Sequence, residues 1–367
     1  MAALLPPEFL ARLATPCLVV DLAAAKRNIA RGAEYFAKRK AKLRPHFKAH
    51  KCSQLLRRQI DAGSCVGVTC ATAYEAELLA KKGFQNVLVA NEVVDPAGLA
   101  ALGRAAKLTR ITVALDAVVG AQRLEKTAVA AGVSFGVLIE VDVGMGRCGV
   151  VFGSETLLDI AAEVRNLPHL ELLGLQGYEG HAVMREDHAL RGITAWQAAE
   201  TLKAERKRLE QAGFACSIVS GGGTGTFDLT GNLGAVDEVQ AGSYVLMDSR
   251  YGSLGLPFEN ALYCAATVIS RRSPESGVFN AGLKSVSAEY GMPKSATPGI
   301  QVVSLSDEHS RFIVKPDNHV AIGDTVLLIP GHIDPAINLH DAMVVWTGSK
   351  AELWPVDGRR QASTLMA

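Results

Sequence analysis

Lys48 lies in the segment RPHFKAHK (residues 44–51), where His46 and His50 flank it two positions away on either side. The alternation of this segment predicts a strand that ends near Lys48, and on a strand both histidines would share its face. Burial lowers the pKa of a lysine and leaves a neutral amine, the nucleophile that forms a Schiff base. A solvated surface charge is the commoner role for a lysine, so the assignment depends on what the rest of the chain places beside it.

Two glycine-rich segments could supply a partner for that amine: SGGGTGT (220–226) and AGSY (241–244). We place them after the seventh and eighth strands of a barrel, where barrels often bind phosphate. Successive backbone N–H groups of such loops cradle phosphate, and hydroxyl groups add donors. Flexible turns are the alternative. Together with a lysine at a strand end, the two loops indicate pyridoxal 5'-phosphate.

His332 and Asp334 occur two residues apart in PGHIDPAINLHD (330–341), so on a strand they would point to one face. Imidazole and carboxylate together suit Mn, Zn or a similar divalent ion. His340 and Asp341 follow closely and could support such a site or take no part in it. A structural or solvated pair is the alternative.

The segment GMGRCG (144–149) matches the G-x-G-x-x-G pattern of a dinucleotide-binding turn. That turn should open a helix directly in the first β-α-β unit, whereas Val150 and Val151 follow here, in the middle of the chain. A tight turn at a strand end is a second interpretation. We favour a third, in which the turn holds Arg147 at the mouth of a barrel.

Repeated β-α units must position these residues. Short strand-like runs alternate with helical patterns between about 15 and 245, which predicts parallel strands. Nine strand candidates are one too many for a (β/α)8 barrel, so we expect the first, CLVVDL (17–22), to lie in another domain. After about 250, short strands separated by Gly, Pro, Asp and Asn predict an antiparallel β domain without convincing helices. The expected division is 1–22 with the β domain, 23–248 as the barrel and 249–367 as the β domain.

The composition is that of a soluble globular enzyme. The 367 residues are 49% hydrophobic and 20% charged, with a net charge of +1 and no long basic run, which argues against nucleic-acid or membrane partners. No apolar run is long enough to span a membrane, and the first residues lack a secretory signal. The seven scattered cysteines indicate reduced thiols in a cytoplasmic protein.

The motifs resemble, over the whole chain, the D-threonine aldolase and D-serine dehydratase group of fold-type III pyridoxal phosphate enzymes, relatives of alanine racemase. TPCLVVDL is similar to the opening strand, and RPHFKAHK matches the segment whose lysine carries the cofactor. The resemblance implies a TIM-type barrel followed by a β domain, a homodimer and a D-amino acid substrate. It also implies a metal (Mn, or Zn, Mg or Co) at His332 and Asp334. The implied cofactor contacts are Lys48, His46, Arg147, Gln176, Tyr178, Ser220, Gly222, Gly223, Thr224, Gly242, Ser243 and Tyr244.

Two departures concern the reaction. Close aldolases carry a histidine four or five residues after their AYHG or AYQG segment, to take the substrate hydroxyl proton. Here GYEGHAVM places Met184 near that position, and His181 is the candidate replacement. Asn280 stands where the aldolases have aspartate.

The resemblance implies cleavage of D-threonine or a related D-3-hydroxy amino acid to glycine and an aldehyde, with Lys48 and His181 catalytic. The alternative is a dehydratase for D-serine or D-3-hydroxyaspartate. The His-x-Asp form favours the aldolase, since the dehydratases more often carry His-x-Cys. A non-catalytic cofactor carrier would need neither the β domain nor the metal pair. A metal-dependent barrel hydrolase should have several acidic or histidine residues at strand ends, and beyond RPHFKAH these ends look poor in them.

Overall fold

The computed structural model describes residues 5–316 and 318–359, and short strands run through its whole length. The strands are β1 (Cys17–Asp21), β2 (Lys42–Leu43), β3 (Val68–Cys70), β4 (Val87–Val89), β5 (Ile111–Leu115), β6 (Phe135–Glu140), β7 (Leu170–Gly177), β8 (Ile218–Gly221), β9 (Glu238–Val239), β10 (Leu262–Ser273), β11 (Ser276–Phe279), β12 (Lys294–Ser295), β13 (Ile300–Leu305), β14 (Ser310–Val314), β15 (Thr325–Ile329), β16 (Ala342–Trp346) and β17 (Ala351–Pro355).

Helices separate the strands up to β9 and are short and few after it. They are α1 (Pro7–Leu10), α2 (Leu22–Ala37), α3 (Ser53–Asp61), α4 (Ala73–Lys81), α5 (Pro96–Ala106), α6 (Val118–Ala131), α7 (Thr156–Asn166), α8 (Gly180–Val183), α9 (His188–Gln211), α10 (Phe227–Thr230), α11 (Ser249–Gly252) and α12 (Ile333–Asn338). Side-chain hydrogen bonds cap the N-termini of several helices. The Thr72 side chain accepts the Glu75 N–H at the start of α4, and the Asp187 side chain accepts the Leu190 N–H at the start of α9. None of the described helices is both long and apolar enough to cross a membrane.

The chain divides into two compact units. One contains the described residues up to Arg31 together with Ala49–Gln54 and Ser243–Arg359, and the other contains Gly32–Lys48 and Leu55–Gly242. We call them the β unit and the barrel unit. The functional domain boundaries expected from the sequence, at 22/23 and 248/249, stay a prediction.

The barrel unit is a sheet of eight parallel strands among the described residues, in the order β2-β9-β8-β7-β6-β5-β4-β3. Parallel bridges from Leu43 to Cys65 and from His46 to Thr69 connect β2 with the segment at β3 and close the sheet. Strands β5 and β6 are buried at every position, as expected when helices cover one side of a barrel and side chains fill the other. The predicted (β/α)8 barrel is confirmed, with the glycine-rich loops after its seventh and eighth strands.

The β unit holds a second, largely antiparallel sheet, in the order β11-β14-β13-β12-β15-β10-β1-β16-β17, and a further β10–β11 pairing closes part of it into a small barrel. The outsider strand β1 pairs antiparallel with β10 and parallel with β16. Stacked Phe279 and Phe312, with ring centroids 4.1 Å apart, pack in its core. This confirms the predicted C-terminal antiparallel β domain.

Two local predictions are wrong. Lys48 does not lie on a strand, because β2 ends at Leu43 and residues 47–49 form a 3-10 turn; Pro45 has no N–H to continue the ladder. The expectation that His46 and His50 share a strand face with Lys48 is therefore not met, because residues 47–49 do not form a strand. The β domain also contains short helices, and one of them, α12, includes Asp334.

Candidate active site

Lys48 is half-buried in the 3-10 turn that follows β2, and its amine lies over an aromatic ring of the same barrel unit. The distance from Lys48 Nζ to the centroid of the Tyr178 ring is 5.8 Å. Tyr178 directly follows β7, so its ring stands at the carboxyl end of the barrel strands, where barrel enzymes place their active sites. His46, two residues before Lys48, is buried and forms a parallel β-bridge with Thr69 of β3.

Arg147 approaches the same ring. Its guanidinium carbon lies 5.6 Å from the Tyr178 ring centroid, and Nη2 lies 3.8 Å from Glu140 Oε1 at the end of β6. The preceding turn is fixed by Asp142, whose Oδ1 accepts the N–H groups of Gly144 and Gly146 at 2.9 and 3.0 Å. Between the end of β6 and Thr156 no helix begins among the described residues, so GMGRCG is a strand-end turn that presents Arg147, as in the third interpretation.

A row of polar side chains crosses the barrel beside Arg147. Glu140, Gln176 and Ser220 are register partners on β6, β7 and β8. Gln176 Nε2 donates to Glu140 Oε2 at 2.7 Å, and Gln240 Nε2 donates to Gln176 Oε1 at 3.0 Å and to Ser220 Oγ at 2.9 Å. Burial, followed by the charge of Glu92, raises the pKa of Glu140 to about 8. Hydrogen bonds therefore connect Glu140, Gln176 and Ser220 by way of Gln240, and Arg147 approaches this row only through its 3.8 Å contact with Glu140.

The loop after β8 packs closely against the same ring. Gly222 has φ +75°, in the left-handed region, and a Cβ at Gly223 would lie 3.3 Å from Tyr178 Cε2. The Gly222 N–H is donated to Glu179 Oε2 at 3.1 Å, and Thr224 begins a short 3-10 turn. Gly242 ends the barrel unit. A side chain at Gly223 would therefore press on the Tyr178 ring, and glycine lets the loop lie close to it.

Ser243 and Tyr244 belong to the β unit. They begin a 3-10 turn, and the Tyr244 ring lies 5.2 Å from that of Phe258. Ser243 Oγ stands 3.5 Å from Asp334 Oδ1, at the outer limit of a hydrogen bond. These two predicted cofactor residues are therefore positioned by the part of the chain that also carries the candidate metal ligands.

The residues of the barrel unit fit pyridoxal phosphate. The structure brings an amine and a guanidinium close to the aromatic ring of Tyr178, and a loop of glycines and threonines, in which the glycines carry no Cβ, packs against the same ring. The amine can be the covalent attachment point, and loops of this kind bind phosphate. Of the predicted site residues, Lys48, Arg147 and Gly223 each lie close to Tyr178.

His181 lies in α8, three residues after Tyr178. Its Nδ1 is buried and has no hydrogen-bond partner among the described residues, whereas a Cβ at Gly144 would lie 3.3 Å from its Nε2. The hydrogen bond from Gly146 N–H is the main cause of the lowered pKa of Asp142, and the charge of His181 contributes to it. The imidazole therefore sits beside the turn that carries Arg147, with Nε2 on the side of Gly144.

In the β unit, His332 and Asp334 come together at the start of α12 and not on a strand. His332 Nε2 lies 3.7 Å from Asp334 Oδ1, and His332 Nδ1 lies 2.7 Å from Glu289 Oε2. The ring of Tyr290 packs edge-on against the imidazole, with centroids 4.9 Å apart. One side of the imidazole is therefore held by a carboxylate, and the other faces Asp334.

The segment is anchored by Asp248, a fully buried residue. Asp248 Oδ2 accepts the Ile333 N–H at 2.9 Å, and Oδ1 accepts the Tyr251 N–H at 2.7 Å, so one carboxylate caps both α12 and α11. Burial raises the pKa of Asp248 to about 6. Neither Asp248 nor Glu289 could be linked to His332 from the sequence, because they lie 84 and 43 residues away.

The pair fits a divalent metal. A separation of 3.7 Å allows Nε2 and Oδ1 to bind one ion at ligand distances of about 2.1 Å. The contact between Nδ1 and Glu289 is the outer hydrogen bond that metal-binding histidines usually make. His340 points elsewhere: its Nε2 bonds the Ser285 carbonyl at 2.8 Å, and burial lowers its pKa.

The expectation that barrel strand ends are poor in acidic residues is wrong. Glu92, Asp116 and Cys148 follow β4, β5 and β6, and one ligand-type atom from each lies within 4.8 Å of the others. Gly149 N–H donates to Asp116 Oδ2 at 3.2 Å. The signal was available, because an acidic residue stands at or just after the end of each of three successive strands. Of this group, the charge of Glu92 contributes to the raised pKa of Glu140.

Two family models match the chain. The model for the N-terminal domain of alanine racemase matches residues 20–250, and that for a putative serine dehydratase domain matches residues 261–346. The sequence is similar to a D-threonine aldolase from Arthrobacter sp., with 37% identity over 96% of this chain and 95% of the aldolase. It is also similar to a 3-hydroxy-D-aspartate aldolase from Paracoccus denitrificans (strain Pd 1222), with 35% identity over 94% and 92% of the two chains. The crystal structure of D-threonine aldolase from Filomicrobium marinum superimposes with a TM-score of 0.91 at 35% identity, over 95% of this chain and 96% of the other.

Proposed function

We propose that this chain, which belongs to the alanine racemase-like family together with D-threonine aldolase, is a lyase that cleaves D-threonine or a related D-3-hydroxy amino acid to glycine and an aldehyde. One observation supports the proposal most strongly. Lys48 Nζ and the Arg147 guanidinium carbon lie 5.8 Å and 5.6 Å from the centroid of the Tyr178 ring, at the carboxyl ends of the barrel strands.

Pyridoxal phosphate is the cofactor we assign, with Lys48 as its attachment point. When bound, the cofactor supplies an electron sink for the pair released from a bond to the substrate Cα. Arg147 contributes a positive charge beside the Tyr178 ring, and the hydrogen bonds of Asp142 fix the turn that carries it. His46, Gln176 and Tyr178 are the proposed ring contacts. Ser220, Gly222, Gly223, Thr224, Gly242, Ser243 and Tyr244 are the proposed phosphate contacts.

His332 and Asp334 are the proposed metal ligands, and manganese is the ion we expect first. When bound, a divalent ion lowers the pKa of a hydroxyl group that it contacts. Glu289 keeps the imidazole oriented through Nδ1, so that Nε2 is presented on the side of Asp334. Asp248 fixes the backbone of the same segment.

The proton that must leave the substrate 3-hydroxyl is taken by His181, in our assignment at Nε2. We assign the role to Nε2 because Nδ1 is closed off from solvent. As the hydroxyl loses its proton, its C–O bond becomes the carbonyl of the aldehyde and the Cα–Cβ bond breaks. A proton then returns to Cα to give glycine. Acid–base catalysis of this kind contributes about 10²–10⁴-fold to a rate.

The second candidate is a dehydratase, which the match of residues 261–346 to a putative serine dehydratase domain favours. In that reaction Lys48 would remove the α-proton and the 3-hydroxyl would leave, giving a 2-oxo acid and ammonia. The two reactions share their binding residues and differ in which bond breaks. The products of D-threonine therefore separate them.

The test of the proposed function has two parts. Wild-type protein mixed with pyridoxal phosphate should show the absorbance of a lysine-bound cofactor, and borohydride reduction followed by peptide mapping should place the cofactor on Lys48. The variant Lys48→Ala should lose both signals and activity on D-threonine. Cofactor found on a different lysine, or unchanged activity in Lys48→Ala, would contradict the assignment.

We also propose that the protein is a homodimer, as the family resemblance implies, and that it is cytoplasmic. All seven cysteines are free thiols, and four of them, Cys52, Cys70, Cys216 and Cys264, are buried. Light scattering on the purified protein tests the dimer directly, with a mass near twice 38.8 kDa expected.

A further inference from the structure

Glu179 directly follows Tyr178 at the carboxyl end of β7, yet it points away from solvent, with 1% of its surface exposed. A carboxylate this buried is costly unless donors satisfy it. Its position beside the proposed cofactor residues raises the question of what it contributes there.

The Glu179 carboxylate accepts hydrogen bonds from donors that lie between β8 and the end of α10. Gly222 N–H donates to Oε2 at 3.1 Å, Thr226 Oγ1 donates to Oε1 at 2.7 Å, and Thr230 Oγ1 also donates to Oε1. The first donor is at the start of the glycine-rich loop, and the other two are at and beyond its end. One carboxylate thus ties the two ends of residues 222–226 together.

The threonine hydroxyl extends this connection into the loop. Thr226 Oγ1 accepts the Gly223 N–H at 3.3 Å while it donates to Glu179. Gly222 has a left-handed φ of +75°, one of several backbone regions open to a glycine, so contacts must select it, and Gly225 packs so closely on the Val183 carbonyl that a Cβ would collide with it. The loop conformation therefore depends on contacts, and the charged ones converge on Glu179.

We propose that Glu179 is a positioning residue for phosphate: it fixes the backbone of residues 222–226 in the conformation that binds the phosphate of pyridoxal phosphate. The residue acts through the loop and does not touch the phosphate itself, because the carboxylate and the phosphate carry the same charge. The inference rests on the cofactor assigned under the proposed function. It makes the affinity for the phosphate group, and not for the pyridoxal ring, depend on a residue of the β7 end.

Glu179→Gln is the informative change. Glutamine keeps the size of the side chain but replaces one acceptor oxygen by an NH2 donor, so at least one of the donors at Glu179 loses its acceptor. We expect apoprotein carrying Glu179→Gln to bind pyridoxal phosphate about tenfold or more weakly, the effect of losing a hydrogen bond to a charged group. Binding of pyridoxal, which lacks the phosphate, should change less than about twofold. Inorganic phosphate should compete with the cofactor in wild type and lose this effect in the variant.

Glu205→Gln is the matched control. Glu205 is equally buried in the barrel unit and also accepts a glycine N–H, from Gly153 at 2.5 Å, but that glycine belongs to a different loop. Glu205→Gln should lower the unfolding temperature without changing the ratio of the affinities for pyridoxal phosphate and pyridoxal. Thr226→Ser, which keeps the hydroxyl, should bind the cofactor like wild type, whereas Thr226→Val should follow Glu179→Gln. The threonine pair also decides the matter if Glu179→Gln does not fold.

Equal weakening of pyridoxal and pyridoxal phosphate in Glu179→Gln would overturn the inference, because a general loss of structure would explain it. Unchanged cofactor affinity in Glu179→Gln, with normal binding in wild type, would refute the inference alone. Wild-type protein that binds no pyridoxal phosphate would refute the inference together with the proposed function. The titrations by absorbance and fluorescence need no turnover, so they distinguish these results from a change in catalysis.

Discussion

The buried pair of Arg44 and Glu238 closes the barrel four residues before Lys48. Arg44 donates from Nε and Nη2 to the two carboxylate oxygens of Glu238, both at 2.6 Å, and from Nη1 to the Asn86 carbonyl at 2.8 Å. The two side chains are 3% and 8% exposed. Arg44 directly follows β2 and Glu238 begins β9, and these strands pair over only two positions. Side-chain hydrogen bonds therefore contribute much of the connection between β2 and β9, which we call the seam.

Glu238→Gln should destabilise the barrel by about 3–5 kcal/mol, because it leaves the Arg44 guanidinium buried without a counter-charge. At about 2–4 °C per kcal/mol for a unit of this size, the unfolding temperature should fall clearly. Glu171→Gln is the control, since Glu171 pairs with Arg110 at 2.8 Å on the surface, where the two side chains are 66% and 55% exposed. A surface pair of this kind contributes about 1 kcal/mol or less.

Urea unfolding of the apoprotein, followed by circular dichroism and calorimetry, measures both variants. Replacing both residues by methionine should cost less than Glu238→Gln, since no unpaired charge remains. Because the seam lies directly before Lys48, Glu238→Gln should also weaken cofactor binding. If Glu238→Gln and Glu171→Gln lose the same small stability, the pair does not hold the seam and this reasoning fails.

Two further predictions concern the ionisable groups near the proposed sites. Glu289→Ala should weaken Mn²⁺ binding, measured by calorimetric titration, about 10–100-fold because His332 loses its outer partner, and Glu289→Gln, which keeps an acceptor, should lose less; equal affinities would remove Glu289 from the site. Because burial raises the pKa of Glu140 to about 8 from 4.5, the folded apoprotein holds this proton more tightly than the unfolded chain does. Its contribution to stability should be complete below about pH 4.5 and disappear as the pH rises through 8, and Glu140→Gln should flatten this part of the unfolding profile; an unchanged slope would contradict the assignment.

The alternation of β and α patterns predicted the barrel, the outsider strand β1 and the β domain, because these follow from periodicities that the sequence carries locally. The same reasoning placed Lys48 on a strand and was wrong. The two-residue β2 ends before Pro45, and the chain then turns through residues 47–49. A turn of three residues is decided by contacts with neighbouring strands, which the local pattern does not contain.

The metal candidates show the same limit. The spacing of His332 and Asp334 predicted their proximity, but through a strand face, whereas the structure reaches it through the first turn of α12. The helix starts there because the distant Asp248 accepts the Ile333 N–H. The hydrogen bonds of Glu179 could not be predicted from the sequence either, since its donors lie more than forty residues away.

The products formed from D-threonine by the pyridoxal phosphate- and Mn²⁺-loaded protein test the central claim most directly. The proposed function predicts glycine and acetaldehyde in equal amounts, with the activity lost after chelation of the metal. A 2-oxo acid and ammonia without glycine would contradict it and establish the dehydratase instead.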